Sequence, residues 1–347
     1  MDGERRKIED REHGPWAPAG TRRRARRAAA WGALVGSALA GCAAGAPRAP
    51  APVAEAPIAV SATPLAGSVE SRVAAAKGWA HLVERLSESG VPRARAEATF
   101  ADPRMPAFDG LFFRVDPREP KAMYREVLQA RSVGEARSCR AEHAEAFERA
   151  QREHGVDAEV VAAILHVETR CGRNTGSRGV LHGLARLAMA NEPANVAANV
   201  ERTAVQDGVL DEALAERVRA RARKLEDMFL PEVVATFTVA DGEGVDPLAL
   251  EGSPSGAFGV PQFLPTSYLR HGADGNGDGK VDLFEIDDAA SSAARFLANH
   301  GWSEALGRPE RRQVIWNYNR SDAYIDAVLD LAEQLRAQDF VHTEAAE

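Results

Sequence analysis

The chain has 347 residues, 45% of them hydrophobic, enough for a sizeable core in one large or two small domains. Its formal charge is −8, and the first 41 residues hold nine Lys/Arg against five Asp/Glu, so the remainder is more acidic still. An acidic body argues against nucleic acid as a partner but leaves a glycan open, because sugars are bound by hydrogen bonds and stacking.

Residues 22–27 (RRRARR) form a positive n-region, and Ala28–Ala40 is an apolar stretch too short to span a bilayer. It ends in Leu39-Ala40-Gly41-Cys42, which resembles a bacterial lipobox. On that reading 1–41 is a signal peptide and Cys42 is the lipidated first residue of the mature chain. The protein then sits on the periplasmic side of a bacterial membrane, the outer membrane being the expected one. An ordinary secretory signal with a chance Cys, or twin-arginine export, would also fit. Residues 42–68 are Ala/Pro-rich and read as a tether. The folded region is expected over 69–340, with 341–347 as a tail.

Alanine is abundant, aromatics make up 6%, and strand-forming runs are scarce, so the fold is expected to be mainly α. Ser71–Ser87 reads as one helix, and Phe112–Val115 as a short strand or extended link. Glu135–His154 reads as a long helix with Cys139, His143, Ala146 and Ala150 along one stripe, His143 being a core histidine. In Val156–Gly172, Asp157 is a candidate N-cap and Gly172 a candidate stop. Val161, Ile164, Leu165 and Glu168 follow i, i+3, i+4, i+7, so Glu168 shares the face of the core residues. A carboxyl buried there loses hydration and keeps its proton, which suits general acid work. The plainer alternative is a helix-end Glu paired with Arg170 or Arg173. Cys139 and Cys171 remain after export, and a pair in that compartment suggests a disulfide. Glu201–Phe237 reads as mainly helical, its Arg/Glu-rich part from Asp211 to Asp227 as a solvated face. No internal repeat is found.

Asp274-Gly-Asn276-Gly-Asp278-Gly279-Lys280-Val-Asp282-Leu-Phe-Glu285 is a complete twelve-residue calcium loop. Asp274, Asn276, Asp278, Asp282 and Glu285 would give side-chain oxygens, Lys280 its carbonyl, and Gly279 the sharp turn. A single loop suggests a structural calcium clamp, since responsive switches usually pair such loops. The alternative is a Gly/Asn/Asp turn with no metal.

Four blocks in this order resemble the membrane-bound lytic transglycosylase B family, glycoside hydrolase family 103. They are Val167–Gly172 around Glu168; Gly252-Ser253 with Gly256–Gly259 and Gln262–Tyr268; the calcium loop; and Asn317-Tyr318-Asn319 with Ser321–Tyr324. The resemblance covers roughly 69–335. It implies a lysozyme-like helical fold that cuts peptidoglycan strands between N-acetylmuramic acid (MurNAc) and N-acetylglucosamine (GlcNAc), leaving a 1,6-anhydro end. It makes Glu168 the single acid/base and places Ser253, Gln262, Tyr318 and Asn319 along the sugar cleft. No metal is needed for the chemistry. The chain departs from the family's pattern at Cys171, usually aromatic, at Val260-Pro261, usually Tyr-Gly, and in a longer segment from Asn191 to about Arg221. Two other readings stay open. A lysozyme-type hydrolase would need a second carboxylate, such as Asp241, Glu243, Asp246 or Glu251. A peptidoglycan-binding lipoprotein would need none.

Overall fold

The computed structural model describes residues 68–117, 119–208 and 211–344, so Cys42, the signal-like segment and nearly all of the tether lie outside the described residues. The expected helix 71–87 is two helices, α1 (Val69–Ala76) and α2 (Ala80–Glu88). Between them Gly78 takes φ +83°, a conformation that side chains rarely adopt. The turn delivers Trp79 into the core, wholly buried, its indole N–H donating to the Pro106 carbonyl at 2.9 Å. Helix α3 (Arg93–Ala101) packs on both. Phe112–Val115 is an extended link and not a strand. The amides of Leu111 and Phe113 go instead to the side chains of Asn195 and Asn199, at 2.8 and 3.2 Å.

The expected helix 135–154 is also broken, into α4 (Ala130–Glu142) and α5 (Ala144–His154). The break is at His143 (φ −117°, ψ 34°), which is only half-buried at the junction and so is not a core histidine. Helix α6 (Ala158–Thr169) is buried on every side from Val160 to His166, as a central core helix must be. Asp157 stands at its N-cap without bonding its amides, because Arg336 and Arg311 take the carboxylate at 3.0 and 3.4 Å.

Then come α7 (Val180–Ala188), α8 (Pro193–Asp207) and the 32-residue α9 (Glu212–Glu243), capped by Asp211 on the Leu214 amide at 2.7 Å. Asp211–Asp227 is not simply a solvated face. Leu214, Val218, Ala222 and Leu225 are buried, and Glu226 is buried between Arg85 and Asn191 at 2.7 and 2.8 Å. Helices α10 (Pro265–His271), α11 (Ile286–Asn299), α12 (Arg308–Tyr318) and α13 (Asp322–Glu344) complete the chain. The boundary expected at 340 falls inside α13. Helices α4, α5, α11 and α13 all pack on α6, while α7 and α10 lie on α9.

One two-stranded antiparallel ladder is found among the described residues, β1 (Arg178–Gly179) with β2 (Glu251–Gly252), Arg178 facing Gly252. It ties the segment after α6 to the Gly252–Phe263 segment. The approach is so close that a Cβ at Gly176 would lie 2.1 Å from the Gly252 carbonyl oxygen. The described fold is thus mainly α, and none of its helices is long and apolar enough to cross a membrane.

Candidate active site

Helix α6 ends one residue after Glu168. Arg170, Cys171 and Gly172 all take positive φ (52°, 54°, 81°), so the chain leaves the helix in a tight left-handed turn. Buried Thr169 fixes this end: its hydroxyl donates to the Val260 carbonyl and accepts the Gly172 N–H, both at 2.9 Å. Cys171 is joined to Cys139 on α4, with Cα atoms 6.5 Å apart. Arg170 points away, toward Glu126 and Glu135, both at 3.5 Å, and Arg173 toward Glu135. The helix-end ion pair that would have explained Glu168 is therefore made by other residues.

Glu168 itself is half-buried beneath tyrosines. The Tyr324 hydroxyl donates to its Oε1 at 2.7 Å. Tyr318 lies parallel to Tyr324 with ring centroids 6.4 Å apart, and Tyr124 meets Tyr324 edge-on at 5.9 Å. Loss of hydration raises the Glu168 pKa, the Tyr324 hydrogen bond pulls it down, and the charge of Glu119 pushes it up, leaving it at about 7. Burial, and next the negative charge of Glu168, push the Tyr318 and Tyr324 hydroxyls well above their ordinary value. They stay protonated and can only donate or relay.

Glu168, Gln262, Tyr318 and Asn319 open onto one cleft of about 940 Å³, bounded across from them by α9 and α10. Gln262, at φ +50°, lends its amide N–H groups to the carbonyls of Gly259 and Thr175, at 2.9 and 3.1 Å. The Tyr318 hydroxyl donates to the Pro261 carbonyl at 2.5 Å. The backbone oxygens of Val260 and Pro261 thus hold Thr169 and Tyr318, contacts that do not depend on which side chains stand there. Ser253 is placed elsewhere. Its Oγ accepts the Ala257 amide at 3.1 Å inside the turn after β2, and it does not line the cleft. An amide four residues away was the nearer partner.

Of the second carboxylates considered, none lines this cleft. Asp241 is held by both Arg95 nitrogens at 2.6 Å, Asp246 pairs with Arg104, Glu243 accepts the Tyr268 hydroxyl, and Glu251 is exposed. The cleft does hold Glu232, buried on α9. Both its oxygens are taken by Thr266, from the N–H at 2.9 Å and the hydroxyl at 2.6 Å. The residues missed from sequence are Tyr324, Tyr124 and Glu119. Tyr324 was legible as the tyrosine of the Ser321–Tyr324 block, six positions after Tyr318. The other two carry no local signal.

The loop Asp274–Glu285 is wound by its own side chains. Asp274 accepts the amides of Gly277, Asp278 and Gly279, at 2.6, 3.1 and 2.7 Å. Asn276 accepts the Asp278 amide and donates to Glu285 at 3.0 Å. Buried Asp288 on α11 backs the loop, accepting the Gly275 and Asp282 amides at 2.8 and 2.6 Å. Among the described residues no three His, Cys, Asp or Glu side chains are drawn together as a formed metal cage. The donor set is nonetheless the hard-oxygen set calcium takes, on a loop already turned at Gly277 and Gly279 (φ +79° and +89°).

The transglycosylase SLT domain family matches residues 74–309. The chain belongs to that family. Membrane-bound lytic murein transglycosylase B of Escherichia coli (strain K12) is 32% identical over 161 residues, 46% of this chain and 36% of that protein, so the match spans about a third of the relative's length. Two solved structures illustrate the likeness in fold. The E. coli lytic transglycosylase Slt35 in complex with calcium aligns with a TM-score of 0.54 at 20% identity, over 74% of this chain and 92% of that one. Pseudomonas aeruginosa SltB3 in complex with NAG-anhNAM-pentapeptide aligns at 0.51 and 19%, over 78% and 80%.

Proposed function

We propose that this SLT-domain protein is a lytic transglycosylase that cuts the MurNAc–GlcNAc bond of peptidoglycan and leaves a 1,6-anhydromuramyl end, with Glu168 as its single acid/base. The observation that carries the reading is the state of Glu168: it opens on the cleft, one tyrosine donates to it, and its pKa of about 7 keeps it substantially protonated at neutral pH. Family membership, and the anhydro-muramyl ligand bound by SltB3, favour the same chemistry.

In the first step Glu168 gives its proton to the glycosidic oxygen as the C1–O bond breaks. The muramyl acetamido group stabilises the electron-poor C1. In the second step ionised Glu168, still held by the Tyr324 hydroxyl, takes the proton of the sugar's C6 hydroxyl, and O6 closes on C1. The nucleophile is tethered to the electrophile, so no second carboxylate need activate water. Gln262, Tyr318 and Asn319 hold the glycan in register. Of the two other carboxylates that line the cleft, Glu232 has both oxygens engaged by Thr266 and is not free to act as a hydrolytic base, and Asp227 stands exposed on α9, so the product analysis below decides on the lysozyme-type alternative.

Calcium would be held by Asp274, Asn276, Asp278, Asp282, Glu285 and the Lys280 carbonyl, and would supply charge neutralisation to the loop behind α10. The calcium in the Slt35 complex favours this assignment. Cys42 would anchor the protein by lipid on the periplasmic side of the membrane. The deciding experiment digests purified sacculi and weighs the muropeptides. Anhydro ends are expected; reducing ends, heavier by one water, would mean hydrolysis, and intact sacculi would mean binding without cleavage.

A further inference from the structure

Glu119 lies outside the sequence blocks that define the site, yet its carboxyl is joined to Glu168 by aromatic rings. The Tyr124 hydroxyl donates to Glu119 Oε2 at 2.8 Å. The Tyr124 ring abuts Tyr324 edge-on at 5.9 Å, and Tyr324 donates to Glu168 at 2.7 Å. The other oxygen of Glu119 is buried and has no hydrogen-bond partner. A buried, unpartnered carboxylate oxygen costs stability, and it is a feature that calls for an explanation. Among the described residues, Lys121 goes to Asp326 at 3.3 Å, and Arg170 goes to Glu126 and Glu135.

We propose that Glu119 is a positioning residue for the acid/base, its negative charge acting across Tyr124 and Tyr324 to keep the proton on Glu168 until the glycosidic oxygen takes it. The proposal rests on Glu168 being the acid of the reaction proposed above. Two opposed influences then meet at one carboxyl. The Tyr324 hydroxyl favours the ionised form that must exist after the first proton transfer. Glu119 disfavours it and so keeps more of the acid in its protonated form near neutral pH, and its field adds to the effect of burial.

The acids of α4 and α13 around Glu168 are paired. On α13, Asp326 pairs with Lys121 and Arg312, and on α4, Glu135 pairs with Arg131, Arg170 and Arg173. On α6, burial holds the pKa of His166 down to about 4, so it is neutral. Tyr318 on α12 stays protonated, and Arg320, His271 and His300 stand along the cleft. Among the described residues, Glu119 is the negative charge that acts on Glu168.

The test is Glu119→Gln, which keeps the side-chain length and an oxygen for the Tyr124 hydroxyl while removing the charge. The ¹³C carboxyl signal of Glu168, assigned by its loss in Glu168→Gln, is titrated in wild type and variant. The midpoint should move down by roughly half a pH unit, the scale of one charge acting at partly screened range. The alkaline limb of the rate on sacculi should move with it, while the rate at pH 5 stays within about twofold of wild type. Glu119→Asp should titrate like wild type, and the shorter pair Glu119→Asp and Glu119→Asn repeats the charged-against-neutral contrast should Glu119→Gln fold poorly. Superimposable titrations of wild type and the neutral variants would overturn the proposal. If wild type leaves sacculi uncut, the reaction assignment fails instead, and the carboxyl titration still decides whether Glu119 acts on Glu168.

Discussion

Two acidic regions of this molecule treat the same functional group in opposite ways. At the end of α6, Glu168 gives up most of its water and receives one hydroxyl in return. In the loop 274–285, Asp274 alone collects three backbone amides, and the other acids stay near solvent. Poor compensation leaves a carboxyl that holds its proton; rich compensation leaves a carboxylate that winds a turn around itself. Helix geometry produces the first, because the helix ends in apolar packing. Glycines at positive φ produce the second, because they turn amide N–H groups inward.

The contrast is broken most severely at Glu168. Glu168→Gln keeps the shape and removes the proton, so anhydro-muropeptide release should fall by at least about 10²-fold. Stability should move the other way. The folded pKa, about 7, stands above the ordinary 4.5. The folded state therefore binds the proton more tightly, and stability is lost as pH rises from about 4.5 through about 7. Glu168→Gln escapes that loss, so it should melt above wild type at pH 8 and level with it at pH 4. A variant less stable than wild type at pH 8 would show that Glu168 is a structural acid.

How much of this was legible follows from where the determinants lie. The apolar spacing of Val161, Ile164 and Leu165 is local, so it located α6 and the face of Glu168. The loop's oxygen spacing is local too. The breaks at Gly78 and His143 were not legible, since the first depends on Trp79 finding a pocket near Pro106 and the second on packing between helices. Ser253 was misplaced because motif position does not say whether a hydroxyl faces a cleft or its own turn. Tyr324 lies 156 residues from Glu168, and Glu119 touches the site only through Tyr124, so neither partnership leaves a trace in spacing.

The disulfide sharpens the α6 side of the contrast. It crosses from α4 to the residue three after Glu168, at a sequence separation of 32. In the chain-entropy model such a loop is worth about 3.7 kcal/mol, an upper figure because the unfolded chain keeps some order. Cys139→Ser with Cys171→Ser should lower the melting temperature by several degrees. Activity should fall further than stability alone explains, since the left-handed turn at Arg170–Gly172 sets where Glu168 points. Equal melting with and without reductant in wild type would remove the bridge from the account.

The smallest effect belongs to the loop. Its amides already compensate Asp274, and Asn276 already reaches Glu285, so an added cation finds a turn that is wound. What calcium can still relieve is repulsion among Asp274, Asp278, Asp282 and Glu285. The export proposed above would put the loop where calcium is abundant, which suits affinities near 10⁻⁴ to 10⁻³ M. At about ten times such a dissociation constant, mass action gives about 1.4 kcal/mol, a rise of roughly 2–4 °C in melting temperature. Magnesium should do less, because it demands a smaller octahedral shell. The gain should vanish in Glu285→Ala, which removes the closing ligand. Activity should follow the melting curve, because the loop reaches the cleft through a backbone bond, the Val260 amide donating to the Leu283 carbonyl at 2.7 Å, and through α10, whose Tyr268 hydroxyl lies 3.2 Å from the Val281 carbonyl, and neither contact uses a side chain of the calcium-loop oxygen set. A calcium effect on rate at a temperature where the chelated protein is fully folded would mean that the two acidic regions are coupled. Calcium that moves neither melting nor rate would make the loop a turn held by its own amides.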